Sequence, residues 1–179
     1  MSAHGELEHV ILGIVAKFGP LTPYAVRRHF ADSPTPAFSS SAGTIYPAVA
    51  RLVRARLLAA KKDARGAQAR AQLTITNAGR RAHLEWLFDA HDDFLRPPAD
   101  PLRTRIYFLG LLPARQRRAF LARALRVLAA QIDELDGYAR SWPAEGPTRY
   151  SRLASDGLTE LARARQRWLA RVQAELEPD

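Results

Sequence analysis

Between Ser41 and Arg54 the chain reads Ser-Ala-Gly-Thr-Ile-Tyr-Pro-Ala-Val-Ala-Arg-Leu-Val-Arg, and this stretch carries the residues best suited to touch another molecule. Ile45, Val49 and Leu52 recur at spacings of four and three, which predicts a helix that buries them on one face. Ser41 is placed to cap that helix, because its hydroxyl can accept from an orphan N–H of the first turn. The other face holds Gly43, Thr44, Pro47, Ala50, Arg51 and Arg54, with Tyr46 at the rim. Small residues let a helix sit deep in the major groove of DNA. Threonine can bond a base edge or touch a thymine methyl, and arginine reaches phosphates or guanine edges. A solvated face would account for the arginines but not for Pro47. A proline in a helix interior removes a hydrogen bond and costs roughly 3 kcal/mol.

Other chemistries find little support. The five histidines (His4, His9, His29, His83 and His91) show no metal-ligand spacing, so no metal site is expected. There is no phosphate-binding glycine loop and no nucleophilic triad order, and Asp92-Asp93 are neighbours that point in different directions on a helix. No enzymatic activity and no cofactor are expected. The chain has no cysteine, which excludes disulfides and thiolate sites and fits a reducing cytoplasm. No apolar run approaches the ~20 residues of a membrane span, and Glu6 and Glu8 precede the first apolar segment, unlike a signal peptide.

The 179 residues carry a net charge of +9 that is unevenly spread. Residues 1–82 hold 12 basic against 4 acidic residues, a balance of +8, whereas residues 83–179 hold 15 against 14. A basic module joined to a balanced one is the electrostatic footprint of nucleic-acid binding. Only 3 of the 27 basic residues are lysines, which suits phosphate binding through arginine forks and equally fits a bias in genomic base composition.

The elements that must position these groups follow from periodicity. Leu7, Val10, Ile11, Ile14, Val15 and Phe18 predict a first helix over 5–18, stopped by Gly19-Pro20. Thr22-Pro23 starts a second helix to about Phe30, with Tyr24 in its first turn, where a hydroxyl and the helix N–H groups can hold phosphate. Residues 32–40 read as a loop, and the Ser41 helix follows. Two short strands over 57–62 and 70–76, joined by a turn at Gly66, form a hairpin around which Lys61, Lys62, Arg65 and Arg70 cluster. Three helices and a basic hairpin make a winged helix-turn-helix. A helix is then expected from Asn77 to about Arg96 with Leu84, Leu87, Phe88, His91 and Leu95 as its apolar stripe. A short apolar segment spans 102–112. A helix from Ala114 to Arg140 carries Leu121, Leu125, Leu128, Ile132 and Leu135 as a heptad seam. The last helix, 150–177, presents Leu158, Leu161, Trp168, Val172 and Leu176.

The stretch Ser41–Val49 resembles the Ser-Pro-Gly-Thr-Ile-Tyr-Pro-Ala-Leu signature of the PadR family of bacterial transcription regulators. Ile11-Leu-Gly-Ile-Val-Ala is similar to the family's first helix, and Ile75-Thr-Asn-Ala-Gly-Arg80 to the end of its wing. Residues 102–135 resemble in pattern the helical C-terminal domain of the longer members. Two positions depart from the signature: Ala42 replaces its proline, and Arg56 stands where a glycine before Leu57-Leu58 is expected. The resemblance implies a homodimer, joined through its C-terminal helices, that binds an inverted-repeat operator in double-stranded DNA, usually to repress. In several members of the family a small, often aromatic ligand releases the DNA, and the resemblance raises the same expectation here.

The expected fold is mainly α: a winged helix-turn-helix DNA-binding domain over 1–82, then an all-helical dimerisation domain over 83–179. DNA contacts are assigned to Tyr24, Ser41, Gly43, Thr44, Tyr46, Pro47, Arg51, Arg54, Lys61, Lys62, Arg65 and Arg70. Dimer contacts are assigned to Leu121, Leu125, Leu128, Ile132, Leu158, Leu161, Trp168 and Val172. Trp86, Leu87 and Phe88 are candidates for an effector pocket, against the plainer reading that they are core. The expected function is a dimeric repressor. An activator and a winged-helix protein-docking module are the rivals.

Overall fold

A computed structural model of the chain describes residues 4–33, 38–62, 71–89, 99–141 and 148–176. The chain divides into two compact units, Met1–Pro97 and Pro98–Asp179. That division falls later than the 82/83 boundary read from charge and pattern, because the helix after the hairpin packs along the first helix.

The first unit contains α1 (Glu6–Phe18), α2 (Pro23–Ala31), α3 (Ala42–Arg54), β1 (Leu58–Lys62), β2 (Ala71–Ile75) and α4 (Asn77–Phe88). Its core joins Ile11, Leu12 and Val15 of α1 to Val26 of α2, to Ile45, Ala48, Val49 and Leu52 of α3, and to Leu57, Leu58 and Leu73 of the hairpin. The predicted caps form. Thr22 accepts from the Ala25 N–H at 3.1 Å, with Pro23 in the first turn of α2, and Ser41 accepts from the Thr44 N–H at 3.2 Å. β1 and β2 pair antiparallel with Leu58 opposite Ile75 and Ala60 opposite Leu73, so that period two turns Leu58 and Leu73 into the core. Leu21, in the α1–α2 connection, exchanges two backbone hydrogen bonds with Leu73, which ties the hairpin to the helices. This is the winged helix-turn-helix.

The end of α3 has a specific geometry. The Arg56 N–H donates to Val53 O and the Leu57 N–H to Leu52 O, both at 3.0 Å, which is the Schellman arrangement. It requires a left-handed residue, and Arg56 has φ 57° without being glycine. Thr76 completes the corner. Its hydroxyl donates to Arg56 O (2.9 Å) and accepts from the Gly79 N–H (3.0 Å) as the N-cap of α4. Gly79 must be glycine here, because a Cβ would run into the Leu57 carbonyl oxygen.

One expectation for α4 is corrected. Its supposed inward stripe, Leu84, Leu87 and Phe88, is exposed. Its other face (Gly79, Ala82, His83 and Trp86) is the more buried one. The described helix ends at Phe88 rather than near Arg96, and the remaining stripe residues, His91 and Leu95, lie outside the described residues.

The second unit contains α5 (Pro101–Tyr107), a 3-10 turn (Leu109–Leu111), α6 (Ala114–Arg140) and α7 (Arg149–Leu176). Asp100 caps α5 by accepting from the Leu102 and Arg103 N–H groups, and it pairs with Arg165 at 3.0 Å. Burial pushes its carboxyl up. The Arg103 N–H, Arg165 and the Leu102 N–H outweigh this and hold it below the ordinary value. α6 and α7 lie antiparallel: Leu109, Leu121, Leu128 and Leu169 form one buried cluster, Ile132, Leu135 and Ala162 another, and Arg163 pairs with Asp136 at 2.9 Å.

The α6 seam is thus satisfied by α7 of the same chain. Leu121, Leu128 and Ile132 are buried and Leu125 partly buried within the chain itself. Leu158 and Val172 also pack inward, whereas Leu161 is 71 % exposed. Among the described residues no helix is long and apolar enough to cross a membrane, and no group of side chains could hold a metal ion.

Candidate nucleic-acid interface

The outer face of α3 is built by exclusion. Its inner positions, Ile45, Ala48, Val49 and Leu52, are taken by the core. That leaves Ser41, Gly43, Tyr46, Pro47, Ala50, Arg51 and Arg54 exposed, with Thr44 half-buried. The Thr44 and Ser41 hydroxyls lie 2.9 Å apart and share a hydrogen bond, which leaves the Thr44 hydroxyl further bonding capacity. Pro47 has no N–H to offer the preceding turn, and because it is exposed, water can solvate the freed carbonyl. A Cβ added at Gly43 would meet only Ser41 Oγ, at 4.0 Å. Nothing among the described residues demands glycine there, although glycine is about 1 kcal/mol worse than alanine in a helix.

The two arginines differ. Arg54 is exposed and makes no ion pair among the described residues. Arg51 crosses to α1, where its Nε and Nη2 both donate to Glu8 Oε1, at 2.9 and 2.6 Å. Burial pushes the Glu8 carboxyl up, but the Arg51 hydrogen bond and charge, with the Glu8 and Gly5 N–H groups, leave it below the ordinary range. Sequence reading missed this pair. The signal was available, since Glu8, Ile11, Leu12 and Val15 share one helical face, and an acid on a buried face needs a cation.

Around α3, Tyr24 in the first turn of α2 is 53 % exposed, with the Arg27 guanidinium 5.5 Å from its ring centre. Arg28 pairs with Asp32 at 3.3 Å. Lys61 is exposed and pairs across the hairpin with Gln72, on the strand face opposite Leu73. Arg65 and Arg70 lie outside the described residues, as does the Lys62 side chain.

The geometry is that of a helix presented by two others beside a hairpin, and the comparisons agree. Residues 11–85 match the model of the transcriptional regulator PadR-like family. The matched stretch runs from α1 to α4, the winged helix-turn-helix part of the chain. The fold of the chain is also that of solved PadR-like regulators. Bacillus subtilis PadR in complex with operator DNA has a TM-score of 0.80 at 20 % identity, covering 95 % of this chain and 98 % of that one. The same protein in complex with p-coumaric acid gives 0.78 at 19 % identity, covering 96 % and 98 %. The Vibrio cholerae virulence activator AphA gives 0.73 at 20 % identity, covering 97 % and 99 %. No curated protein matches the chain.

The candidate effector residues are not brought together. Trp86 is half-buried and stacks on two histidines, with ring centres 5.3 Å from His9 of α1 and 5.6 Å from His83. Burial, then His4 and His83, push the His9 imidazole below its ordinary value against the opposing pull of Glu8. Burial also lowers His83, against its bond to the His9 backbone. Leu87 and Phe88 point away from this stack, 60 % and 90 % exposed. On α7, Tyr150, Leu153 and Leu161 form an exposed stripe at spacings of three and eight, with Gly157 between them and Trp168 one heptad beyond Leu161.

Proposed function

We propose that this PadR-like chain is a homodimeric, sequence-specific DNA-binding repressor that inserts α3 into the major groove and lays the β1–β2 hairpin along the backbone. The outer face of α3 carries the reading. It combines a glycine and a proline that the fold does not need with arginines at the far end, in a module with a balance of +8 over residues 1–82. A small face is useful only if another surface comes close, and basic side chains indicate that this surface is anionic. A docking module has no need for such a charge excess. The operator complex of the similarly folded Bacillus subtilis protein supports the same reading.

Ser41, Gly43, Thr44, Tyr46 and Pro47 are assigned to the groove, and Tyr24, Arg51, Arg54, Lys61, Lys62, Arg65 and Arg70 to the phosphates or base edges. The exposed stripe of α7 supplies the dimer contact, and a two-fold dimer reads an inverted repeat with half-sites about 34 Å apart. The p-coumaric acid complex of the Bacillus subtilis protein supports an aromatic effector. Here Trp86 would report it, because its histidine stack joins α1 to α4.

Selection of bound duplexes from a random pool tests the DNA assignment. A pseudo-palindrome should emerge, with binding that weakens steeply in salt by about 0.9 in log–log slope for each phosphate neutralised. A flat salt response with no enriched sequence would refute it. A reporter downstream of the selected site distinguishes repression from activation, and operator release by aromatic acids tests the effector.

A further inference from the structure

We infer that Glu8 is a positioning residue for sequence-specific recognition: by gripping one edge of the Arg51 guanidinium it fixes how the other edge meets DNA. The inference rests on the reading of α3 as the recognition helix. Both bonds run to the same oxygen, Oε1, from Nε and Nη2, so they occupy one side of the planar fork. Nη1 makes no hydrogen bond among the described residues, and the Arg51 side chain remains 49 % exposed while that of Glu8 is 11 % exposed. The carboxylate is the anchored partner. It sits on the buried face of α1 beside Ile11, Leu12 and Val15, and is kept ionised by Arg51 and by local N–H groups despite its burial.

The pairing changes what Arg51 can contribute. Its charge is largely neutralised by a carboxylate at 2.6 Å, so it adds less long-range attraction to phosphates than a free arginine such as Arg54. What it retains is a pre-aimed donor edge whose ordering entropy is met in folding rather than in binding. Such a residue contributes to discrimination more than to bulk affinity. Releasing it should therefore do two opposite things. Specific binding should weaken, since the fork must be ordered on the DNA. Binding to any duplex should hold or tighten, since a positive charge has been uncovered.

The test is a double-mutant cycle of Glu8→Gln and Arg51→Ala, measured on the selected operator and on an unrelated duplex of equal length at the same salt. Glu8→Gln is expected to lower the ratio of the two affinities about tenfold. Affinity for the unrelated duplex should be unchanged or higher, and the salt slope steeper by up to about 0.9. In the Arg51→Ala background the same change should shift the ratio less than twofold. Additive effects overturn the proposal, as does a parallel fall in both affinities, which is what a merely structural role of Glu8 would produce. Arg51→Lys covers the case in which Glu8→Gln does not fold. Lysine keeps the charge and a partner for Glu8 but has no second edge, so the ratio of operator to unrelated-duplex affinity should fall. Native specificity in that variant overturns the proposal. A wild-type chain that enriches no sequence refutes the DNA reading itself, whereas a specific wild type with an additive cycle refutes only the role of Glu8.

Discussion

Replacing Arg56 by glycine should stabilise the first unit without weakening DNA binding. The backbone at this position closes the Schellman turn that ends α3, with φ 57° in a residue that carries a Cβ. For an L-residue that conformation costs roughly 1–2 kcal/mol. Glycine removes this strain, but its freer unfolded chain returns roughly 0.4–1 kcal/mol. The Arg56 side chain is exposed and makes no ion pair among the described residues, so little else is lost beyond a favourable charge near the end of the helix. The balance is a gain of about 0.5–1 kcal/mol. In a domain of this size that is a rise of about 2–8 °C in the midpoint of its transition, readable by calorimetry. Arg56→Ala is the control, because it removes the same charge and keeps the Cβ. Should Arg56→Gly prove no more stable than Arg56→Ala, strain at this turn is not the quantity that matters, and the physical account of the α3 end fails.

Two glycines should separate function from fold. Gly43→Ala should raise thermal stability by up to about 1 kcal/mol and weaken operator binding, while Gly79→Ala should destabilise by about 1–3 kcal/mol because its Cβ meets the Leu57 carbonyl oxygen; calorimetry and operator titration of both variants check this. Leu161→Glu, on the exposed stripe of α7, should yield monomers in sedimentation with helicity intact, whereas Leu169→Ala, at a fully buried position, should cost about 2–5 kcal/mol in denaturant unfolding. Burial holds His9 and His83 below the ordinary imidazole value of 6.5, so the stability they contribute is complete above about pH 6.5 and is lost as pH falls through their lowered folded values. Replacing both by glutamine should flatten that part of the stability–pH profile.

Positions whose packing is local were legible in the sequence. Thr22 and Ser41 cap helices because a hydroxyl three residues before an N–H needs no distant partner, and the hairpin register follows from the alternation of Leu73 and Ile75. The left-handed turn at position 56 was legible as a question, and its answer is a strained arginine. Heptad patterns said less, because a 4-3-4-3 seam states that a helix has a partner and not whose helix it is. The α6 seam found α7 of its own chain, since a short connection makes that pairing local, and Tyr150, Leu153 and Leu161 of α7 are among the large apolar residues it leaves exposed. α4 was misread for a related reason. Leu84, Leu87 and Phe88 made the greasier stripe, yet the face that packs carries His83 and Trp86, because Gly13 on α1 offers a gap that fits an imidazole and would not admit a methyl group beside it. Hydrophobicity ranks faces by transfer energy, whereas packing selects them by shape. The same reasoning exposes Glu8. On hydrophobicity alone it interrupts the α1 core stripe, but a carboxylate placed there is stable only with a cation in reach, and the arginine that reaches it stands on the outer face of α3, 43 residues away in sequence.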